Sequence, residues 1–131
     1  MTYKVCYWDS ESGTQQERDA TPEEAAELDA LQAQAAVNAD ARLYDSIVVD
    51  TQKRLDDFAK TRSYDGILSA CTYATSPTQK FQVEGQYCVA QRDATWASLI
   101  TMFAEVQAGT RPKPTSYTDI EADLPTLVWP N

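Results

Sequence analysis

FQVEGQYCVAQRDATWASLITMFAEVQAGTRPKPT, residues 81–115, decides how the chain is read. Phe81, Gly85, Cys88, Val89, Arg92, Trp96, Leu99, Ile100, Phe103 and Val106 recur at three- and four-residue steps, which predicts a helix with one broad inward stripe. Gly85 lacks a side chain where another helix could come close, and at mid-helix it costs about 1 kcal/mol relative to alanine. Gly109 suits a left-handed C-terminal cap. Arg111-Pro112-Lys113-Pro114-Thr115 cannot continue a helix and is expected to be extended. Arg92 falls on the stripe with Asp93 beside it, one turn before Trp96. The structural reading makes Arg92, Asp93, Trp96 and Phe103 a core with a charged pair. The guanidinium would pack on an aromatic ring and find a carboxylate or chain end, with residues 63–74 as the expected partner segment. A ligand or partner contact by Arg92 is the alternative.

Upstream, Ser63-Tyr64-Asp65-Gly66 predicts a restart, with Ser63 as cap and Ile67, Leu68, Ala70 and Cys71 facing inward. Ser76-Pro77 interrupts before the long stripe. Thr21-Pro22-Glu23-Glu24 has the composition of a capping box with proline at the first helical position. From there to Lys60 no proline or glycine intervenes. A continuous helix would run about 60 Å at about 1.5 Å per residue, so a break near Asn38-Ala39-Asp40 is the alternative. In 23–37 the apolar residues are mostly alanine, with Leu28 and Leu31 as the larger anchors, which supplies little burial energy. Beyond Ala41, Leu43, Ile47, Val48, Thr51, Leu55 and Phe58 form a fuller core face. The first half is therefore expected to need a partner or to self-associate as a short coiled coil.

At the start, Tyr3, Val5 and Tyr7 alternate with Lys4, Cys6 and Trp8, which predicts a strand. Asp9-Ser10-Glu11-Ser12-Gly13 supplies a turn, and 14–18 returns as a second strand. A lone hairpin is marginal in water and needs a surface to lie on. Trp8 belongs either to that contact or to its own hairpin. Downstream, Ser116 and Asp119 are expected to cap a short helix through Asp123. The apolar run Leu124–Asn131 either folds back over the helices, the favoured reading, or is kept for docking. The fold class expected is mainly α (α+β). Its parts are a β-hairpin docking segment at 1–20, a long amphipathic helix at 21–62, and a helical domain with an extended proline-rich tail at 63–131.

Charge narrows the function. The 131 residues carry 11 Lys+Arg, 20 Asp+Glu and no histidine, a net charge of −9. That balance repels phosphate backbones, and the basic runs at 53–54 and 111–113 are short and flanked by acids, so no nucleic-acid partner is expected. No run of about 18 apolar residues predicts a membrane span, and Met1–Asp9 does not resemble a signal peptide. Cys6, Cys71 and Cys88 are odd in number with no CxxC pair, which favours reduced, packed thiols; a Cys71–Cys88 disulfide is the alternative. Without histidine, Ser-His-Asp and Cys-His nucleophiles are excluded and a common zinc set is incomplete. No phosphate-cradling glycine loop occurs. Asp93 and Glu84 are the carboxylates an acid–base enzyme would have to use. The expectation is no enzyme, no catalytic or metal residues, and no cofactor.

From about Tyr44 to Trp129 the chain resembles a known family. SYDGILSACTYA (63–74), the 81–115 stretch with its EGQ…RDA.W…VQAGTRP.PT pattern, and ADLPTLVWP (122–130) are similar to the C-terminal region of small proteins encoded beside tail-fibre genes in tailed bacteriophages and prophages. RDATPEEAAELDA (18–30) is similar to the charged TPEE openings of tail-fibre assembly proteins. The resemblance implies a non-enzymatic tail protein that binds the fibre, as an assembly chaperone or as a minor component of fibre or baseplate. It places the protein in the host cytoplasm during assembly, or in the virion tail. Members have no catalytic residues to carry over. The expected partner-binding residues are Tyr3, Val5, Tyr7, Trp8, Leu28 and Leu31, on the elements least able to bury themselves. A small acidic phage regulator that binds a host partner is the alternative.

Overall fold

The computed structural model describes residues 2–131. It is mainly α with a small β part. In chain order the elements are β1 (Lys4–Asp9), β2 (Thr14–Asp19), α1 (Pro22–Lys60), α2 (Ile67–Cys71) and α3 (Gln79–Ala108). Single 3₁₀ turns occupy Thr72–Thr75, Tyr117–Asp119 and Glu121–Asp123. α1 continues through Asn38 without the break that length alone suggested. Two compact units result, Met1–Arg42 and Leu43–Asn131. The division therefore falls inside α1 rather than at 20 and 62, because the buried residues of that helix, Ile47, Thr51, Leu55 and Ala59, all lie beyond Leu43.

In the first unit β1 and β2 pair antiparallel, from Lys4 opposite Asp19 to Asp9 opposite Thr14. The turn is held by Asp9, whose carboxylate accepts bonds from the Glu11 amide at 3.0 Å and the Ser12 hydroxyl at 2.7 Å. Gly13 closes it at φ 65°, a left-handed conformation that glycine adopts without cost. The capping box forms as predicted. The Glu24 amide donates to Thr21 Oγ1 at 3.2 Å, and the Thr21 amide donates to Glu24 Oε2 at 2.9 Å.

The second unit holds the core in two adjoining clusters. Ile47, Leu99, Met102, Ile120 and Leu124 form one. Leu55, Ala59, Ile67, Ala70 and Cys88 form the other. Trp96 packs against both. α1 contributes Ile47, Thr51, Leu55 and Ala59 at four-residue steps. The buried Thr51 hydroxyl is satisfied by donating to the Ile47 carbonyl at 2.7 Å. Val48, read as inward, is 40 % exposed.

Ser63 does not cap a new helix. It has φ 68°, its amide donates to the Lys60 carbonyl, and the Tyr64 amide donates to the Ala59 carbonyl. That pattern is a Schellman ending for α1, with serine where glycine is the usual residue. The cap of α2 comes from α1 instead: Asp56 Oδ1 accepts from the Ile67 amide at 2.9 Å. A Cβ at Gly66 would lie 2.8 Å from that same oxygen. Leu68, also read as inward, is exposed.

α3 ends as predicted at Gly109, with φ 78°. Its inward line is Glu84, Gly85, Cys88, Thr95, Leu99 and Met102, rotated from the predicted stripe. Arg92 and Asp93 are exposed and form no core pair; Val89 and Ile100 are exposed too. At Gly85 the backbone of Tyr73 and Ala74 comes within 3 Å of where a Cβ would lie, which fixes that side of α3 inward and leaves Val89 and Ile100 on its flanks. Trp96 and Phe103 do pack on the core, and Phe103 meets Tyr44 edge-on at 4.7 Å.

After Gly109 the chain folds back, as favoured. Arg111 pairs with Asp123. Asp119 Oδ2 accepts from the Thr115 amide at 2.8 Å and its hydroxyl at 2.7 Å. Two 3₁₀ turns, not one short helix, place Ile120 and Leu124 in the core. Trp129 stacks on Phe58 with centroids 4.2 Å apart and donates its indole N–H to Thr61 Oγ1 at 2.8 Å. Arg54 Nη2 donates to the Pro125 carbonyl at 2.8 Å, and the Val128 amide donates to the Tyr87 hydroxyl at 2.8 Å.

Candidate partner-binding surface

The first unit has no core of its own. None of its described residues is buried, whereas the second unit contains every fully buried side chain. Polar contacts hold the hairpin to its helix instead. The Tyr3 hydroxyl donates to Asp29 and, at 3.1 Å, to Gln32 Oε1. The Arg18 guanidinium donates two bonds to the Glu24 carboxylate, at 2.7 and 2.8 Å. Lys4 pairs with Asp19 across the strands. Exposed ion pairs and hydrogen bonds of this kind contribute little each, since water competes for both partners.

The six residues expected to bind a partner divide into two groups. Tyr3, Val5 and Leu28 are half-buried. Tyr3 and Val5 share the hairpin face that turns to α1. Tyr7, Trp8 and Leu31 are exposed, Trp8 at 69 % and Leu31 at 66 %. Trp8 lies on the hairpin face away from Tyr3, so it does not serve the hairpin's own contact. Val37, absent from the predicted set, is 61 % exposed on α1. Its isolation among alanines was the available signal.

Electrostatics set this unit apart further. Residues 1–42 hold three basic side chains (Lys4, Arg18 and Arg42) against nine acidic ones, a net of −6 out of the chain's −9. The Arg18 bonds, with help from the Thr21 amide, hold the Glu24 carboxyl at a pKa of about 2 against an ordinary 4.5. The Ser12 hydroxyl and the Glu11 amide likewise lower Asp9.

The second unit has a cleft of about 620 Å³ bordered by Arg62, Gln79, Lys80, Val83 and Glu84. Glu84 is 3 % exposed. Arg62 Nη1 lies 3.2 Å from its carboxylate and Lys80 Nζ 4.0 Å. The Arg62 guanidinium also sits 5.2 Å from the centre of the Trp129 ring. This is the guanidinium–carboxylate–aromatic arrangement expected of Arg92, carried by different residues. Glu84 immediately precedes Gly85, the point of closest backbone approach, and that adjacency is what could have exposed it. Burial, and then the Glu84 charge, raise the pKa of the neighbouring Tyr64 hydroxyl.

Cys6 is exposed, Cys71 half-buried and Cys88 buried, all as free thiols. Desolvation pushes Cys88 up to about 12. Among the described residues, no group of three or more His, Cys, Asp or Glu side chains is placed to hold a metal ion. No helix among them is long and apolar enough to cross a membrane. No protein-family model, curated protein or solved structure matches the chain.

Proposed function

We propose that the chain is a non-enzymatic protein of a bacteriophage tail that binds the tail fibre, as an assembly chaperone or as a minor component of fibre or baseplate. One observation carries the reading: the first unit folds without burying a single described residue, while it exposes Trp8, Tyr7, Leu31 and Val37. A surface of that composition gains most of its apolar burial on a partner. The resemblance of 63–130 to proteins encoded beside fibre genes is what supports the tail fibre as that partner. Glu84, a buried carboxylate, is paired with Arg62, a structural ion pair that fits a binding role better than acid–base work.

Co-expression with the neighbouring fibre gene tests the proposal. The fibre should be captured by the full chain and lost when residues 1–40 are removed, since the core lies wholly beyond Arg42. Capture by the shortened chain would count against it. The acidity favours one second reading, a small phage regulator that occupies a basic host surface. Mass spectrometry of purified virions separates it from a structural role: a resident tail protein appears there and a regulator does not.

A further inference from the structure

The hairpin has one protected edge and one receptive edge. The Ala20 amide donates to the Tyr3 carbonyl at 2.9 Å, which makes Tyr3 and Ala20 a hydrogen-bonded pair. In the observed register Val5–Arg18 and Tyr7–Gln16 follow as hydrogen-bonded pairs, and Lys4, Cys6 and Trp8 fall between them. The main-chain amides and carbonyls of Lys4, Cys6 and Trp8 therefore point away from β2, to a side where no third strand lies. β2 presents Thr14-Gln15-Gln16-Glu17-Arg18-Asp19 at its own outer edge, a charged and polar strand of the kind that resists further pairing. β1, Lys4-Val5-Cys6-Tyr7-Trp8-Asp9, has no proline, no bulge and no charge between its two ends. Its aromatic and β-branched composition suits pairing.

Resting on the reading of the first unit as the fibre-binding element, we infer that the outer edge of β1 takes an extended, Lys/Arg-bearing segment of the partner as a third strand. Strand addition supplies main-chain hydrogen bonds at Lys4, Cys6 and Trp8, and the exposed Trp8 ring covers an apolar side chain of the incoming strand. Charge selects the occupant. A second copy of this chain would bring a net −6 unit against a net −6 unit, whereas a basic strand gains steering and loses repulsion.

Amide hydrogen exchange on the full chain tests this with synthetic strand peptides. One alternates Val and Tyr with Lys, one replaces Lys by Glu, and a third is the Lys peptide N-methylated on alternate amides. The Lys peptide should protect the Lys4, Cys6 and Trp8 amides, and more salt should weaken its binding. The Glu peptide and the N-methylated peptide should not protect them. Cys6→Pro, which removes an outward N–H at an edge position that tolerates proline, should weaken the Lys peptide by about tenfold, the equivalent of one lost main-chain bond. Equal binding by the N-methylated peptide would overturn strand addition, and equal binding by the Glu peptide would overturn the charge requirement. Concentration-dependent protection of the same amides without peptide would mean that a second copy is the occupant, and would also overturn it. If the fibre is still captured through residues 1–40 while those amides stay unprotected, this inference fails and the proposed function stands.

Discussion

Gly85→Ala tests whether the second unit is built around one close approach. A Cβ placed at Gly85 would lie 2.4 Å from the Ala74 nitrogen, 2.5 Å from the Tyr73 carbonyl carbon and 2.9 Å from the Ala74 Cα. Ordinary contacts begin near 3.4 Å, so α3 and the Thr72–Thr75 turn must separate by roughly 1 Å of backbone movement. No side chain can rotate out of the way. Overpacking costs about 1–3 kcal/mol, and the rigid obstacle puts this site at the upper end. Alanine returns about 1 kcal/mol as the better helix former. The net expectation is a loss of about 2 kcal/mol, or a Tm lower by roughly 8–16 °C for a unit of this size. Thermal and urea unfolding followed by circular dichroism measure it. Ala90→Gly, at an exposed position of the same helix, provides the control and should lose about 1 kcal/mol. A Gly85→Ala protein as stable as the parent, or more stable, would refute the close approach.

At the end of α1, Ser63→Gly should gain about 1 kcal/mol in urea unfolding, because glycine holds φ 68° without strain. The Thr95 hydroxyl is buried without a hydrogen-bond partner, so Thr95→Val should raise stability by about 1 kcal/mol. Glu24, held at a pKa of about 2 against 4.5 when unfolded, stabilises the start of α1 fully above about pH 4.5, and that contribution is lost as the pH falls through about 2. An NMR titration should show the low value in the parent and a return toward 4.5 in Arg18→Ala. With its thiol near 12 and buried, Cys88 should resist alkylation in the native protein while Cys6 reacts, and should be labelled only on unfolding.

Much of this architecture was legible because it rests on local chemistry. Thr21 to Glu24 spelled the capping box, Gly109 the left-handed stop, and alternation over 3–8 the strand. Gly85 announced a close contact, although its partner proved to be a 3₁₀ turn rather than a helix. What escaped the sequence depended on neighbours distant along the chain. Ser63 resembled a cap until Tyr64 and Ala59 met. The Ile67 amide is satisfied by Asp56 across a loop, which no local motif reports. Hydropathy placed Gly85, Cys88 and Leu99 inward correctly but drew the rest of the α3 stripe through Val89, Arg92 and Ile100, whereas Glu84, Thr95 and Met102 are the residues buried. The candidate surface was legible as a deficit: alanines where core residues should be, and aromatics on a hairpin too small to hide them.

The return of the chain over the helices has a consequence for birth on the ribosome. Leu43 and Ile47 emerge early, yet the floor they pack on includes Ile120 and Leu124, with Trp129 sealing the adjoining cluster. At about 5–20 residues per second, translation leaves those early side chains waiting several seconds for their complement. Throughout that interval the hairpin depends only on the start of α1, through Glu24, Asp29 and Gln32, all of which are synthesised before Leu43. A nascent polypeptide arranged in this order can meet its ligand before it has a finished interior.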